Sequence, residues 1–149
     1  TAIIPLAKEP FMALRINPYF TFAGTAREAF AFYQSVFGGE LQLATFGDFH
    51  APVEPDVEYM VMHGELRTEY FTLQGSDGAA IHKPENNATT NMEISILGEG
   101  TDLETAKDWF QKLSDGATNV QPLDQAPWGA LFGFFTDKFG IAWMFNIQS

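Results

Sequence analysis

Cysteine is absent from the 149 residues, which removes disulfides, thiolate metal ligands and cysteine nucleophiles from consideration. The same absence fits a cytoplasmic setting. Positive charge is scarce: 8 Lys and Arg stand against 19 Asp and Glu, a net charge of −11. Nucleic acids and anionic membranes are held by clustered Lys and Arg, and the chain has no such cluster, so neither is an expected partner. Long apolar runs are missing as well. "GALFGFF" and "FGIAWMF" are strand-sized, well short of the roughly 18 residues a membrane helix requires. Nor does the N-terminus show the charged-then-apolar order of a secretory signal. Residues 1–11 are expected to be an extension or a cloning remnant, with a native upstream strand as the alternative; Met12 directly precedes the regular pattern.

What the chain has in quantity is aromatic carbon: 15 Phe, 4 Tyr and 3 Trp, within a 46% hydrophobic composition. The length fits one domain, on a prior of about 100–200 residues each. The rings can fill a core, and a surplus of them can also line a small-molecule pocket.

The stretch "INPYFTFAGTAREAFAFYQSVFGG" opens the pattern. From Ile16 to Phe22 the chain alternates, with Ile16, Pro18, Phe20 and Phe22 on one side and Asn17, Tyr19 and Thr21 on the other, as a half-buried strand does. Pro18 has no N–H, so one side of that strand is expected to be free. Thr25-Ala26-Arg27-Glu28 reads as a capping box. Ala26, Ala29, Phe30, Tyr33 and Phe37 then follow helical spacing, widened by Phe32 and Val36. Gly38-Gly39 supplies a left-handed stop. Strands are expected over 40–46, 57–66 and 67–74, with Gly64 near the junction of the last two, and 75–90 reads as a loop.

The second half repeats the first. Asn91–Leu97 alternates, Thr101-Asp102-Leu103-Glu104 is another capping box, and Leu103, Ala106, Trp109, Phe110 and Leu113 form a helical stripe. Strands are expected over 118–123, 129–136 and 141–147. The two capping boxes, and "FYQSV" against "WFQKL", are each separated by close to half the chain, which marks an internal duplication. The expected fold is α+β: two βαβββ modules in tandem, 14–74 and 91–149 joined by a linker over 75–90, in a single domain spanning 12–149. The helices would cover one face of each sheet, and the opposite faces would curve into a mixed-sheet cup.

A duplicated βαβββ unit resembles the vicinal oxygen chelate superfamily of glyoxalases, bleomycin-resistance proteins and dioxygenases. "NPYFTFAGTAREAFAFYQSVFGGEL" and "TDKFGIAWMFN" are similar to its PhnB-like branch, often labelled 3-demethylubiquinone methyltransferase-like. The likeness spans about Leu14 to Ile147, with a looser middle. The methyltransferase label gains no support, since no Gly-rich strand-to-helix turn for a nucleoside cofactor is visible. The resemblance implies a homodimer. It also implies metal ligands near each module's first strand and on its last strand, and matching the motifs puts Asn17, Thr72, Asn91 and Met144 at those four places. Amides, a hydroxyl and a thioether are poor ligands for a hard divalent cation. No metal and no cofactor are therefore expected.

Strand parity turns Tyr70, Thr72 and Gln74 to the cavity side, with Phe71 and Leu73 packed. On the module-two strands it sends Asn91, Glu93 and Ser95 inward while Met92, Ile94 and Ile96 pack. Met144 and Asn146 look inward between the packed Trp143, Phe145 and Ile147. Trp128 is placed to rim the pocket or to anchor a dimer. Candidate ligand contacts are thus Asn17, Tyr19, Tyr70, Thr72, Asn91, Glu93, Trp128, Met144 and Asn146. Glu93 stands out, because a carboxylate between Met92 and Ile94 on a central strand points to a wet cavity or to a salt bridge. Of the histidines, His50 and His82 fall in loops and His63 lies in a strand, where it either faces the cavity or packs as a satisfied core residue. Glu93 and His63 are the candidate acid–base pair. The leading expectation is a metal-free small-molecule binder. The alternative is a lyase, isomerase or dioxygenase-type enzyme that uses a metal or that pair in the same cup.

Overall fold

A computed structural model describes residues 15–81 and 91–148. These fall into two compact units, the division between them falling within 82–90. Each is a βαβββ module, as the duplication predicts. The first contains β1 (Tyr19–Thr21), α1 (Ala26–Phe37), β2 (Glu40–Thr45), β3 (Val61–Arg67) and β4 (Thr72–Ser76). The second contains β5 (Ile94–Gly98), α2 (Leu103–Leu113), β6 (Thr118–Gln125), β7 (Leu131–Thr136) and β8 (Ala142–Ile147). The sheets run β1-β4-β3-β2 and β5-β8-β7-β6, so one order maps onto the other strand for strand. In each, the first and last strands pair in parallel and the remaining pairs are antiparallel.

The helices form where the apolar stripes place them. Ala26, Ala29, Phe30, Tyr33, Val36 and Phe37 of α1 are buried, and α2 buries Ala106, Phe110 and Leu113. Gly38, at φ 73°, ends α1, and Gly39, at φ 94°, lies so close to the Arg67 carbonyl that any Cβ would collide with it. In module one the helix meets the sheet through the ring of Phe30. It lies over Gly64 and Gly75, which are directly opposed on β3 and β4. A Cβ on Gly64 would come within 2.9 Å of both Phe30 and Leu43. Gly64 is thus a mid-strand residue, and the junction expected between residues 66 and 67 lies slightly later. The reversal falls at 68–71, where the Thr68 N–H donates to the Phe71 carbonyl at 2.9 Å. In module two, Phe110 instead packs edge-on against Phe135 and Phe145, with ring centres 5.0 and 5.2 Å away.

The expected capping boxes are replaced. Thr25 makes no side-chain cap; the Ala26 N–H at the start of α1 donates to the Asp77 carboxylate at 2.9 Å. The same carboxylate accepts from Gly24 and Val61 N–H groups, each at 2.9 Å. Asp77 is almost fully buried, so a residue assigned to the linker closes the core of module one, and β4 itself runs on to Ser76. In module two a single 3-10 turn, Gly100–Asp102, precedes α2, and the Glu99 N–H donates to Asp102.

Strand ends also differ from expectation. β1 is confined to Tyr19–Thr21 and Ile16 is fully exposed, although Phe20 and Phe22 are buried and β1 is an edge strand, as Pro18 suggested. β5 starts at Ile94 and is an edge strand, so Met92 is exposed rather than packed. Residues 1–11 and His82 lie outside the described residues.

Candidate functional site

Each sheet has one face under its helix and one face free of it. On the first sheet the buried side carries Phe20, Phe22, Leu66 and Leu73. Period-two alternation sends the intervening side chains the other way. Strand register lines up Tyr19, Gln74, Glu65 and Gln42 in one row across this second face. Thr72 and Arg67 stand opposite each other in the next row.

Glu65 is the centre of that face. Its residue is only 3% exposed, and one carboxylate oxygen accepts from Arg67 Nε at 3.0 Å while the other accepts from Gln74 Nε2 at 3.2 Å. A buried carboxylate is tolerated when it is paired and hydrogen-bonded, and Arg67 provides the charge. Two residues earlier on β3, His63 lies beside Tyr19. Their rings stack at 5.8 Å, and the tyrosine hydroxyl is 3.2 Å from His63 Nδ1. Tyr19 remains half-exposed. The face thus gathers a phenol, an imidazole, an ion pair and an amide on adjacent strands.

The helix-free face of the second sheet has another character. Its rows are Ser95–Met144–Phe134 and Leu97–Asn146–Phe132. The Trp128 ring, on the turn before β7, packs edge-on to Phe132 at 5.3 Å. Apart from Ser95 and the Asn146 amide, these groups are apolar.

The two helix-free faces bring some of the expected residues together. Tyr19, Thr72 and His63 come together on the first module's face, and Met144 and Asn146 share the second's with Trp128 at its margin. Others do not. Tyr70 belongs to the turn at 68–71, off the strand rows. Asn91 and Glu93 precede β5 and are exposed, which removes the central-strand setting that singled out Glu93. Asn17 lies two residues before β1, outside any element. His50 lies in a loop at φ 52°. Gln74 was expected on this face, but Glu65 and Arg67 were missed; Arg67 stands two residues on along β3, and Gln74 reaches Glu65 from β4. The signal was there in parity: Glu65 and Gln74 fall on the face that Thr72 shares.

The four positions at which the family resemblance implies metal ligands hold Asn17, Thr72, Asn91 and Met144. Their amide, hydroxyl and thioether groups do not suit a hard divalent ion. Among the described residues no group of three or more His, Cys, Asp or Glu could hold a metal, and the best-placed carboxylate, Glu65, already spends both oxygens on Arg67 and Gln74. The residues present do not fit the metal. Among the described residues no helix is long and apolar enough to cross a membrane.

Comparison with known proteins agrees with this architecture. Protein YjdN of Escherichia coli strain K12 is 26% identical over 143 residues, covering 89% of this chain and 94% of that protein. A crystal structure of a Pseudomonas aeruginosa protein is 36% identical and matches with a TM-score of 0.76, over 91% of this chain and 98% of that one. A Bacillus cereus structure, described as a putative 3-demethylubiquinone-9 3-methyltransferase, PhnB protein, matches with a TM-score of 0.70 at 23% identity, over 90% of this chain and 99% of that one. At that identity the likeness is one of fold. The family model for the glyoxalase/bleomycin resistance protein/dioxygenase superfamily matches residues 15–145, and the chain belongs to that superfamily.

Proposed function

We propose that the protein binds a small organic molecule, without a resident divalent ion, on the helix-free face of its first module. The observation that carries this reading is Glu65, a buried carboxylate whose two oxygens hold Arg67 and Gln74. A cation arriving there would have to displace a guanidinium or tolerate its charge at close range. For an organic ligand the same face offers a half-exposed phenol, an imidazole and a threonine hydroxyl, all on strands, which is where precise recognition is best supported. Within the superfamily, the opening motif at 17–41 and the fold shared with the Bacillus cereus PhnB protein support the PhnB-like branch. A methyl-transfer role draws no support: the β1–α1 connection contains one glycine, Gly24, where nucleotide-cradling turns use several.

The test is thermal melting with zinc, nickel and manganese, followed by calorimetry against a panel of small polar and aromatic molecules. The metals should leave the melting temperature unchanged. At least one organic compound should raise it, and Glu65→Gln should weaken that compound's binding. Tight zinc or nickel binding that stabilises the protein would sink the reading. The homodimer implied by the family is a further proposal, checked by light scattering.

A second reading is favoured by the contact between Tyr19 and His63. A phenol hydrogen-bonded to an imidazole is a pair that can move a proton to or from a bound substrate. In this version the partner of His63 is Tyr19 rather than Glu93. Lyase, isomerase or dioxygenase turnover lost in Tyr19→Phe and His63→Gln but kept in Glu93→Ala would support it. Loss in Glu93→Ala alone would return the role to Glu93.

A further inference from the structure

The Tyr19–His63 pair deepens the small-molecule reading, and the role assigned to it rests on that reading. The two residues are 44 positions apart, on β1 and β3, yet their rings stack at an interplanar angle of 27° and the phenol oxygen lies 3.2 Å from Nδ1. A neutral imidazole has one N–H and one bare nitrogen, and the partner of either nitrogen decides which is which. A phenol is a far stronger acid than a neutral imidazole N–H, so the favoured bond runs from the tyrosine O–H to a bare Nδ1. The ring proton is then confined to Nε2.

That proton points to no acceptor of the protein. Nε2 has no hydrogen-bond partner among the described residues and is not sealed from water. The residue opposite His63 on β2 is Ala44, whose methyl group carries no acceptor. Glu65, the carboxylate two positions along the same side of β3, gives one oxygen to Arg67 and the other to Gln74. The Glu65–Arg67 pair balances its own charge at close range, and the chain as a whole stands at −11. Such a face favours a neutral acceptor over an anion.

We infer that His63 Nε2–H donates to the carbonyl oxygen of a neutral ligand seated beside the half-exposed Tyr19 ring, and that Tyr19 is the positioning residue that keeps His63 in this tautomer. A ligand of the same shape without the oxygen would strip water from the N–H and return nothing. In the opposite tautomer a bare Nε2 would face the carbonyl lone pairs and repel them. The tyrosine hydroxyl therefore sets the preference through the imidazole, from the far side of its ring.

Nitrogen NMR of the imidazoles reads the tautomer without any ligand. At about pH 9, where free histidine is neutral, the wild-type His63 signal, assigned by its loss in His63→Phe, should show a single Nε2–H form. Tyr19→Phe should show a mixture of both forms. Calorimetry then compares acetophenone with α-methylstyrene, the same shape with a CH₂ in place of the oxygen. Wild type should bind the ketone roughly tenfold more tightly, about what one hydrogen bond contributes. His63→Phe should bind the two alike, and Tyr19→Phe should lose part of the preference. A mixed or Nδ1–H form in wild type, or a tautomer indifferent to Tyr19→Phe, would overturn the inference. So would equal binding of the two probes by wild type, no binding of acetophenone at millimolar concentration, or a preference that survives His63→Phe. If wild type ignores acetophenone yet binds another compound in a Glu65-dependent way, the carbonyl contact fails and the small-molecule reading stands. If nothing in the panel binds, both fall.

Discussion

The two modules share a strand order, a helix position and a parallel first-to-last pairing, yet they spend their polar residues in opposite ways. Module one puts a connected polar set on its helix-free face, centred on Glu65, and keeps its helix-covered side apolar down to a glycine pair. Module two leaves its helix-free face largely aromatic and aliphatic, with one amide oxygen unpaired. Each also buries one aspartate for structural work. Asp77 joins three backbone N–H groups that are 16, 51 and 53 residues away in sequence. Asp137 accepts from Phe139 and Ile141 of its own β7–β8 turn and from the Trp143 indole at the start of β8. A duplicated scaffold has kept its topology, then, while the side chains on its two free faces have diverged. The topology depends on helix stripes and strand alternation, which many sequences satisfy; face chemistry depends on single residues.

The largest effect should come from the aspartates. Asp77→Ala strands three N–H groups, two of them in buried surroundings, and should cost about 3 kcal/mol or more in urea unfolding. Asp137→Ala breaks a local turn and one indole bond, and should cost about 2 kcal/mol. Equal losses would mean that long-range and local ties contribute alike, and the contrast between the modules would weaken.

Next is the helix–sheet contact. Gly64→Ala drives a methyl group to within 2.9 Å of Phe30 and Leu43, an overpacking that should cost about 1–3 kcal/mol. The flexible end of Leu43 can retreat more easily than the Phe30 ring, which is fully buried and is also crowded by Gly75. No loss of stability in a melt would place Gly64 elsewhere than under α1.

This glycine also shows how far the sequence could be read. Both helices, the eight strands in their order and the duplication were legible, because periodicity is local and each half repeats the other's. Gly64 was placed near a strand junction, and only the ring of Phe30 across the interface explains why a glycine stands there in mid-strand. The same reason hid Asp77: a capping box at Thr25 is a four-residue pattern, whereas the carboxylate that does the capping arrives from 51 residues away. At the site, parity placed Tyr19, Thr72, Met144 and Asn146 on the helix-free faces. It failed for Asn91, Glu93 and Tyr70, which lie just beyond strand ends, where alternation no longer applies. Glu65 was passed over because its meaning comes from Arg67 and Gln74 together.

The open faces give the next contrast. Arg67→Met removes the cation from a buried carboxylate and leaves Glu65 with Gln74 as its remaining neutral partner among these contacts. It should destabilise by about 1–3 kcal/mol. Asn146→Leu should do the opposite, by up to about 1 kcal/mol, since it deletes an unpaired acceptor from an apolar surface. Chemical denaturation of the two variants is enough to decide. If both substitutions move stability in the same direction, the polar and apolar descriptions of the two faces are not the relevant difference.

The smallest effect belongs to a loop of module one. The Asp48 carboxylate accepts the Thr45 N–H at 2.8 Å, and the Asp48 N–H donates to the Thr45 hydroxyl at 3.0 Å. These contacts, led by the Thr45 backbone N–H, hold the Asp48 carboxyl below its ordinary value of 3.8. A depressed folded-state value means that the contribution to stability is present in full above the unfolded value and disappears as pH falls through the folded one. Asp48→Ala should therefore differ slightly from wild type at pH 7, and the two melting curves should converge as pH falls through the lowered folded-state value. The group is fully solvent-exposed, so the difference at neutral pH should also shrink as salt is added. A gap that persists unchanged into strong acid would show that Asp48 acts through its N–H and the shape of its turn, with its charge contributing nothing.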